Sequence, residues 1–176
     1  MLDPKTFPRP PALEKVATHL LVKWPAGGTI AETRNGFRVL ETYHPPTYYI
    51  PCSDAKVDMT PTSRASFCEW KGRAKYFSIK DPDGNEVRDR VWTYENPTSR
   101  FKDIEGHLSF YTGPWECYVN GEQGNLSTVR PVRLRSLSIA DEVTQVEPQP
   151  GDFYGGWLTS DIKRDSVKGG PGTLGW

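Results

Sequence analysis

Cys68, Glu69, Trp70, Lys71, Gly72 and Arg73 crowd a thiol, a carboxylate and basic side chains into one short stretch. A thiol next to an ammonium is chemistry, because the positive charge favours the thiolate, the form that attacks electrophiles. Read with a period of two, Cys68, Trp70, Gly72, Ala74 and Tyr76 share one face of a strand. Glu69, Lys71, Arg73 and Lys75 then share the other, which separates Lys71 from Cys68. A bulge at Gly72 would reverse this and bring Lys71 round to the thiol. Two readings therefore stand side by side. In one, Cys68 and Lys71 open on the same cavity. In the other, Cys68 is a small apolar core residue and Lys71 faces water.

Glu41 ends a strand pattern just before the proline-rich run His44-Pro45-Pro46. A carboxylate there can point into a cleft to orient a ligand or take a proton, or it can form a surface ion pair. Tyr49, Tyr76, Trp92, Tyr94 and Tyr111 recur at strand spacing. Such rings either fill a core or line a cavity with flat faces and orienting hydroxyls. His107 falls on the same face as Tyr111, as a proton-transfer group or a hydrogen-bonded structural imidazole.

The elements that must position these groups are short strands. Sixteen Pro, sixteen Gly and 12% aromatic residues suit strands and turns better than helices. The 22 basic and 22 acidic residues balance, so no global field calls for nucleic acid or an anionic membrane. No apolar run approaches the ~20 residues that span a bilayer. Residues 1–5 lack the basic and apolar parts of a signal peptide, so the expected location is cytoplasmic. Cys52, Cys68 and Cys117 are widely spaced, and His19, His44 and His107 are scattered. Neither a disulfide framework nor a metal site follows, and no cofactor is expected.

Along the chain, the prolines of residues 1–11 predict an extended arm. Pro11 to Val16 reads as the start of a short helix. Leu20–Trp24, Thr29–Thr33 and Phe37–Glu41, separated by Gly-containing turns, read as a three-strand meander. Prolines limit 44–51 to a short edge segment. Strands follow near 64–69, 73–80, 87–94, 107–111 and 116–119. The β domain spans 12–122. Residues 123–150, with Arg130, Arg133 and Arg135 set against Asp141, Glu142 and Glu147, read as a peripheral insertion. The Gly- and aromatic-rich tail, 151–176, is expected to dock back through Phe153, Trp157 and Trp176.

Several motifs, in order, resemble the domain-of-unknown-function family 427. They are Gly28-Thr29-Ile30-Ala31-Glu32-Thr33, Val39-Leu40-Glu41, the run Pro45 to Pro51, Cys68 to Tyr76, and Gly106-His107-Leu108-Ser109-Phe110-Tyr111. The resemblance implies a mainly β fold of the β-tent type, with small coiled antiparallel sheets and at most one or two short helices. It also brings a nucleotidyltransferase-like label with no established reaction. This chain has no Gly-rich phosphate loop and no paired carboxylates for magnesium. Some proteins of that fold hold zinc through Cys-x-x-Cys pairs, which are missing here, and others hold small ligands between aromatic side chains.

The expectation is a domain that binds a small molecule in an aromatic-lined pocket. The ligand-binding candidates are Glu41, Tyr49, Cys68, Lys71, Tyr76, Trp92 and Tyr111. The alternatives are an enzyme with Cys68 as nucleophile assisted by Lys71 and Glu41, and a protein-interaction domain.

Overall fold

The computed structural model describes residues 1–120, 143–151, 153–170 and 173. The fold is mainly β. In chain order come β1 (Ala12–Val16), β2 (His19–Lys23), β3 (Thr29–Thr33), β4 (Gly36–Leu40) and β5 (Thr47–Pro51). Next are β6 (Thr60–Cys68), β7 (Gly72–Lys80), β8 (Glu86–Thr93), β9 (His107–Phe110) and β10 (Glu116–Asn120). Beyond residue 142 lie β11 (Val143–Gln145), β12 (Glu147–Pro148) and β13 (Trp157–Leu158). The helical turns among the described residues are all of the 3₁₀ type, the longest being Ser99–Ile104.

Seven strands form one sheet in the order β1-β4-β5-β9-β8-β7-β6, and four form a second in the order β11-β10-β2-β3. Every strand pair is antiparallel. Alternation along the central strands sends neighbouring side chains to opposite faces of the large sheet. Tyr48, Ile50, Val91, Leu108 and Phe110 join Leu20, Val22 and Ile30 of the small sheet in one core. Tyr49, Tyr76 and Trp92 go the other way and meet Val39, Phe101 and Ile104.

Four expectations are corrected. Residues 12–16 form a strand, not a helix: Leu13 pairs with Val39 across the ladder, and a sheet partner overrides a weak local preference. β2, β3 and β4 are not a meander. β3 pairs with β2, but β4 crosses to the large sheet and pairs with β1 and β5. The segment after Pro45 and Pro46 is not at an edge. Both prolines precede β5, leaving Thr47–Ile50 free to pair between β4 and β9. The strands expected near 64–69 and 73–80 are β6 and β7, but the alternative of a bulge at Gly72 fails: the two strands form a hairpin turning at 69–71.

The N-terminal residues and the described part of the C-terminal segment contact the β strands and the turns between them. Pro4 and Phe7 are buried, and Tyr43 N–H donates to the Pro4 carbonyl at 2.9 Å. Trp157 is fully buried, its indole N–H donating to the Phe110 carbonyl at 2.8 Å, with its ring 5.2 Å from that of Tyr48. Phe153 differs from the expectation: it is 69% exposed. Trp176 and most of the expected insertion lie outside the described residues. The last residues of that insertion form β11, β12 and the segment through Gln149.

Candidate functional site

Among the described residues, no other sheet closes the second face of the large sheet. This face carries an open cavity of about 200 Å³ whose floor is aromatic and whose rim comes from the C-terminal segment. Tyr76 on β7 is paired in register with Trp92 on β8, so their side chains stand together. Tyr111 follows β9 and packs on Trp92 with ring centroids 4.6 Å apart. Tyr49 on β5 faces Tyr94 at 6.4 Å. Cations cap two of these rings from outside: Arg64 lies 4.5 Å from the centre of Tyr76 and Arg90 4.8 Å from that of Tyr111.

Lys71 reaches the cavity because of Gly72. With φ at +99°, Gly72 sits in the left-handed region, which closes the turn between β6 and β7 and aims Lys71 inward. Thr98 pins that turn. Its hydroxyl donates to the Trp70 carbonyl at 2.6 Å and its N–H to the Lys71 carbonyl at 3.2 Å. Lys71 is thus 7% exposed, with Nζ 3.6 Å from Glu41 Oε2 and beside the Cys68 thiol. Burial works against its ammonium, but the Glu41 carboxylate and a hydrogen bond with Cys68 work for it. The Lys71 pKa therefore stands above the ordinary lysine value, and the group is charged at neutral pH.

Glu41 and His44 are presented by a turn in which Tyr43 holds a left-handed backbone, φ 68°. Such a conformation costs a non-glycine residue about 1–2 kcal/mol and persists only when its surroundings enforce it. The N-terminal arm and the C-terminal segment do so here, through Tyr43 N–H to Pro4 and Lys168 N–H to the Tyr43 carbonyl at 2.7 Å.

His44 and Gln149 also line the cavity. The Gln149 Nε2 group donates to the Lys168 carbonyl at 2.9 Å, which fixes the amide's orientation. The same nitrogen lies 2.9 Å from His44 Nδ1, so Nδ1 must accept and the ring proton sits on Nε2. Burial lowers the His44 pKa, against the opposing pull of Glu41, and keeps the ring neutral at pH 7.

Two buried polar atoms of lining residues have no hydrogen-bond partner among the described residues. They are the Tyr49 hydroxyl, on a side chain with no exposure, and Gln149 Oε1. The Trp92 indole lies against the Tyr49 hydroxyl without hydrogen-bond alignment. Burial pushes the Tyr49 and Tyr94 pKa values upward, so both are neutral hydroxyls. Such orphaned groups are few in folded proteins and call for a partner.

Glu41, Tyr49, Cys68, Lys71, Tyr76, Trp92 and Tyr111 therefore line a single opening. His107 does not. Its ring packs edge-on against Phe37 at 5.2 Å, with Nδ1 3.0 Å from the Glu105 carbonyl. Among the described residues, no three His, Cys, Asp or Glu side chains are grouped to hold a metal ion. No helix among them is long and apolar enough to cross a membrane.

Residues 12–121 match the family described as "Domain of unknown function (DUF427)". The chain belongs to that family. No curated protein matches the chain. The boundary of the match divides the cavity. The DUF427 domain supplies its floor and its charged pair, whereas Gln149, Phe153, Tyr154, Gly155 and Gly156 lie beyond residue 121 and form the rim. Gly155 crosses directly over the Trp92 ring, where any Cβ would collide with the indole. His44, Gln149 and Tyr154 are absent from the candidates read in the sequence. His44 adjoins a quoted motif, but nothing local marks Gln149, which reaches the cavity only through the path of the C-terminal segment.

Proposed function

We propose that this DUF427 chain binds a small ring-bearing molecule in the cavity between the large sheet and the C-terminal segment. One observation carries this reading: a charged, nearly buried Lys71 and the unpartnered Tyr49 hydroxyl meet in an aromatic-lined opening. Rings take the flat faces, and a few convergent polar groups set orientation, which is how small-molecule sites are built. An apolar cavity of about 150 Å³ accepts benzene, so this volume suits one ring with a short substituent. The test is a screen of one-ring fragments read by the Trp92 indole N–H resonance, repeated with Cys68→Phe to fill the opening. Fragments that shift this resonance in the wild type but not in the filled variant support the site. No shift with any fragment overturns it.

A second reading rests on a different contact, the Cys68 thiol beside the Lys71 ammonium. As an enzyme, the chain uses Cys68 as nucleophile, Lys71 to favour its thiolate and Glu41 to move the proton. His107, outside the cavity, has no part in it. With Cys52 and Cys117 replaced by Ala, Lys71→Ala is expected to slow alkylation of Cys68 by iodoacetamide. An unchanged rate removes the enzyme reading.

A further inference from the structure

Resting on the cavity as a ligand site, we infer that its ligand is an uncharged one-ring aromatic or heteroaromatic molecule bearing a carboxamide. The argument begins with charge. Glu41 and Lys71 are the charged side chains lining the cavity, 3.6 Å apart and of opposite sign. His44, its imidazole, is held neutral by burial. On the lining itself the two charges therefore offset one another, while Arg64 and Arg90, against the Tyr76 and Tyr111 rings, and Lys168, near His44, are not lining residues. A carboxylate ligand would pair with Lys71 but set a second negative charge beside Glu41. An amine or amidinium would pair with Glu41 but crowd Lys71. Either leaves an uncompensated charge in a site where Lys71 is 7% exposed, and such burial is strongly disfavoured.

A carboxamide avoids both penalties. Its carbonyl oxygen and its NH₂ group lie side by side, as do the ammonium that donates and the carboxylate that accepts. The carbonyl takes a hydrogen bond from Lys71 Nζ and the NH₂ gives one to Glu41, both charge-assisted and both without adding charge. The pair is long for a direct contact, beyond ordinary hydrogen-bond length, which leaves both groups with unused capacity.

The remaining polar groups fit the same molecule. Tyr49 lines the cavity, and its buried hydroxyl has no hydrogen-bond partner among the described residues. Gln149 Oε1, a second buried acceptor without a partner among the described residues, lies beside Gly156 on the rim. Trp92 and Tyr111, packed on one another at an inclination of 50°, form the aromatic floor beneath the opening. Of the large apolar side chains the fold leaves exposed, Phe67 and Phe153 both stand on the lining of this cavity. The mouth thus carries apolar side chains, while Lys71 lies within and Glu41 is partly open to water, an arrangement that accepts an apolar ring carrying a polar head.

Benzamide, benzoate and benzamidinium share one shape and differ in charge, so they test the inference directly. Their dissociation constants for the full chain are measured by calorimetry or ligand-observed NMR at pH 7. Benzamide is expected to bind at least tenfold more tightly than either ion. Glu41→Gln removes the negative partner, and the preference is expected to move to benzoate. Lys71→Met removes the positive one, and the preference is expected to move to benzamidinium. Thermal melts establish that each variant is folded, and the order among the three probes on the wild-type chain stands as a test without any variant. Benzoate or benzamidinium binding as tightly as benzamide overturns the carboxamide assignment and leaves the ring site standing. An unchanged order in both folded variants does the same. Failure of all three probes, together with failure of uncharged fluorobenzene, overturns the ring site as well.

Discussion

The two faces of the seven-stranded sheet are built from the same strands and end in opposite states. On β5, Tyr48 and Ile50 enter a core closed by the four-stranded sheet, while Tyr49 between them enters the cluster that borders the cavity. On β8, Val91 and Trp92 divide in the same way. On the closed face the two buried indoles find acceptors: Trp157 donates to Phe110, and Trp115 donates to the Tyr111 carbonyl at 2.7 Å. The open face leaves the Tyr49 hydroxyl without a partner among the described residues. The difference lies in what covers each face. A sheet brings a full ladder and interdigitating aliphatic side chains. The C-terminal segment brings glycines, a glutamine and an exposed phenyl, and so roofs the second face incompletely.

Substitutions break this comparison most sharply at the tryptophans. Trp157→Ala removes a fully buried ring and its hydrogen bond from the closed face. The expected loss is about 3–5 kcal/mol in urea unfolding. Trp92→Ala on the open face is expected to cost less, because space beside its ring already admits water. Equal losses at the two positions would show that the faces are packed alike.

Much of this division is written in the period-two alternation, which separates Tyr49 from Tyr48 and Ile50 and sets Tyr76 and Trp92 apart from their neighbours. Strand positions follow from it, and so does most of the cavity floor. What alternation cannot carry is the partner of each strand. Leu13 and its neighbours look helical until Val39 is placed opposite them. Gly72 marks a break in the pattern, but a bulge and a hairpin turn share that mark, and only the cross-strand pair Cys68–Gly72 distinguishes them. Gln149 is the hardest to foresee. Its segment is polar and proline-flanked, and it reads as peripheral because the contacts that make it part of the site are with His44 and Lys168, distant in sequence or beyond the family match.

Acid sharpens the comparison through His44. Burial holds its folded pKa below the ordinary histidine value of about 6.5. Glu41 favours the charged ring, and Lys168 and Lys71 oppose it. As pH falls through about 6.5, the unfolded chain takes up this proton before the folded one, so unfolding is favoured. The stabilisation is fully present above the unfolded value and is lost as pH falls toward the folded one. Melting temperature is therefore expected to fall between pH 7 and pH 5.5, and His44→Gln is expected to flatten that slope. A variant as pH-sensitive as the wild type would show that the slope arises elsewhere.

The smallest effect is the most discriminating, because its sign is the prediction. Tyr49 spends no exposure and gains no hydrogen bond from its hydroxyl. A buried hydroxyl without a partner carries a desolvation penalty of about 1–3 kcal/mol, part of which is recovered when it is removed. Tyr49→Phe keeps the ring that packs against Tyr94 and deletes only the oxygen. The variant is expected to be as stable as the wild type, or up to about 1 kcal/mol more stable. It is also expected to bind ring ligands with a hydrogen-bonding substituent more weakly. A hydroxyl kept for the fold behaves the other way, with stability lost and binding untouched. Stability rising while affinity falls identifies an atom held in readiness for a ligand, and urea unfolding paired with calorimetry on the same variant reads both.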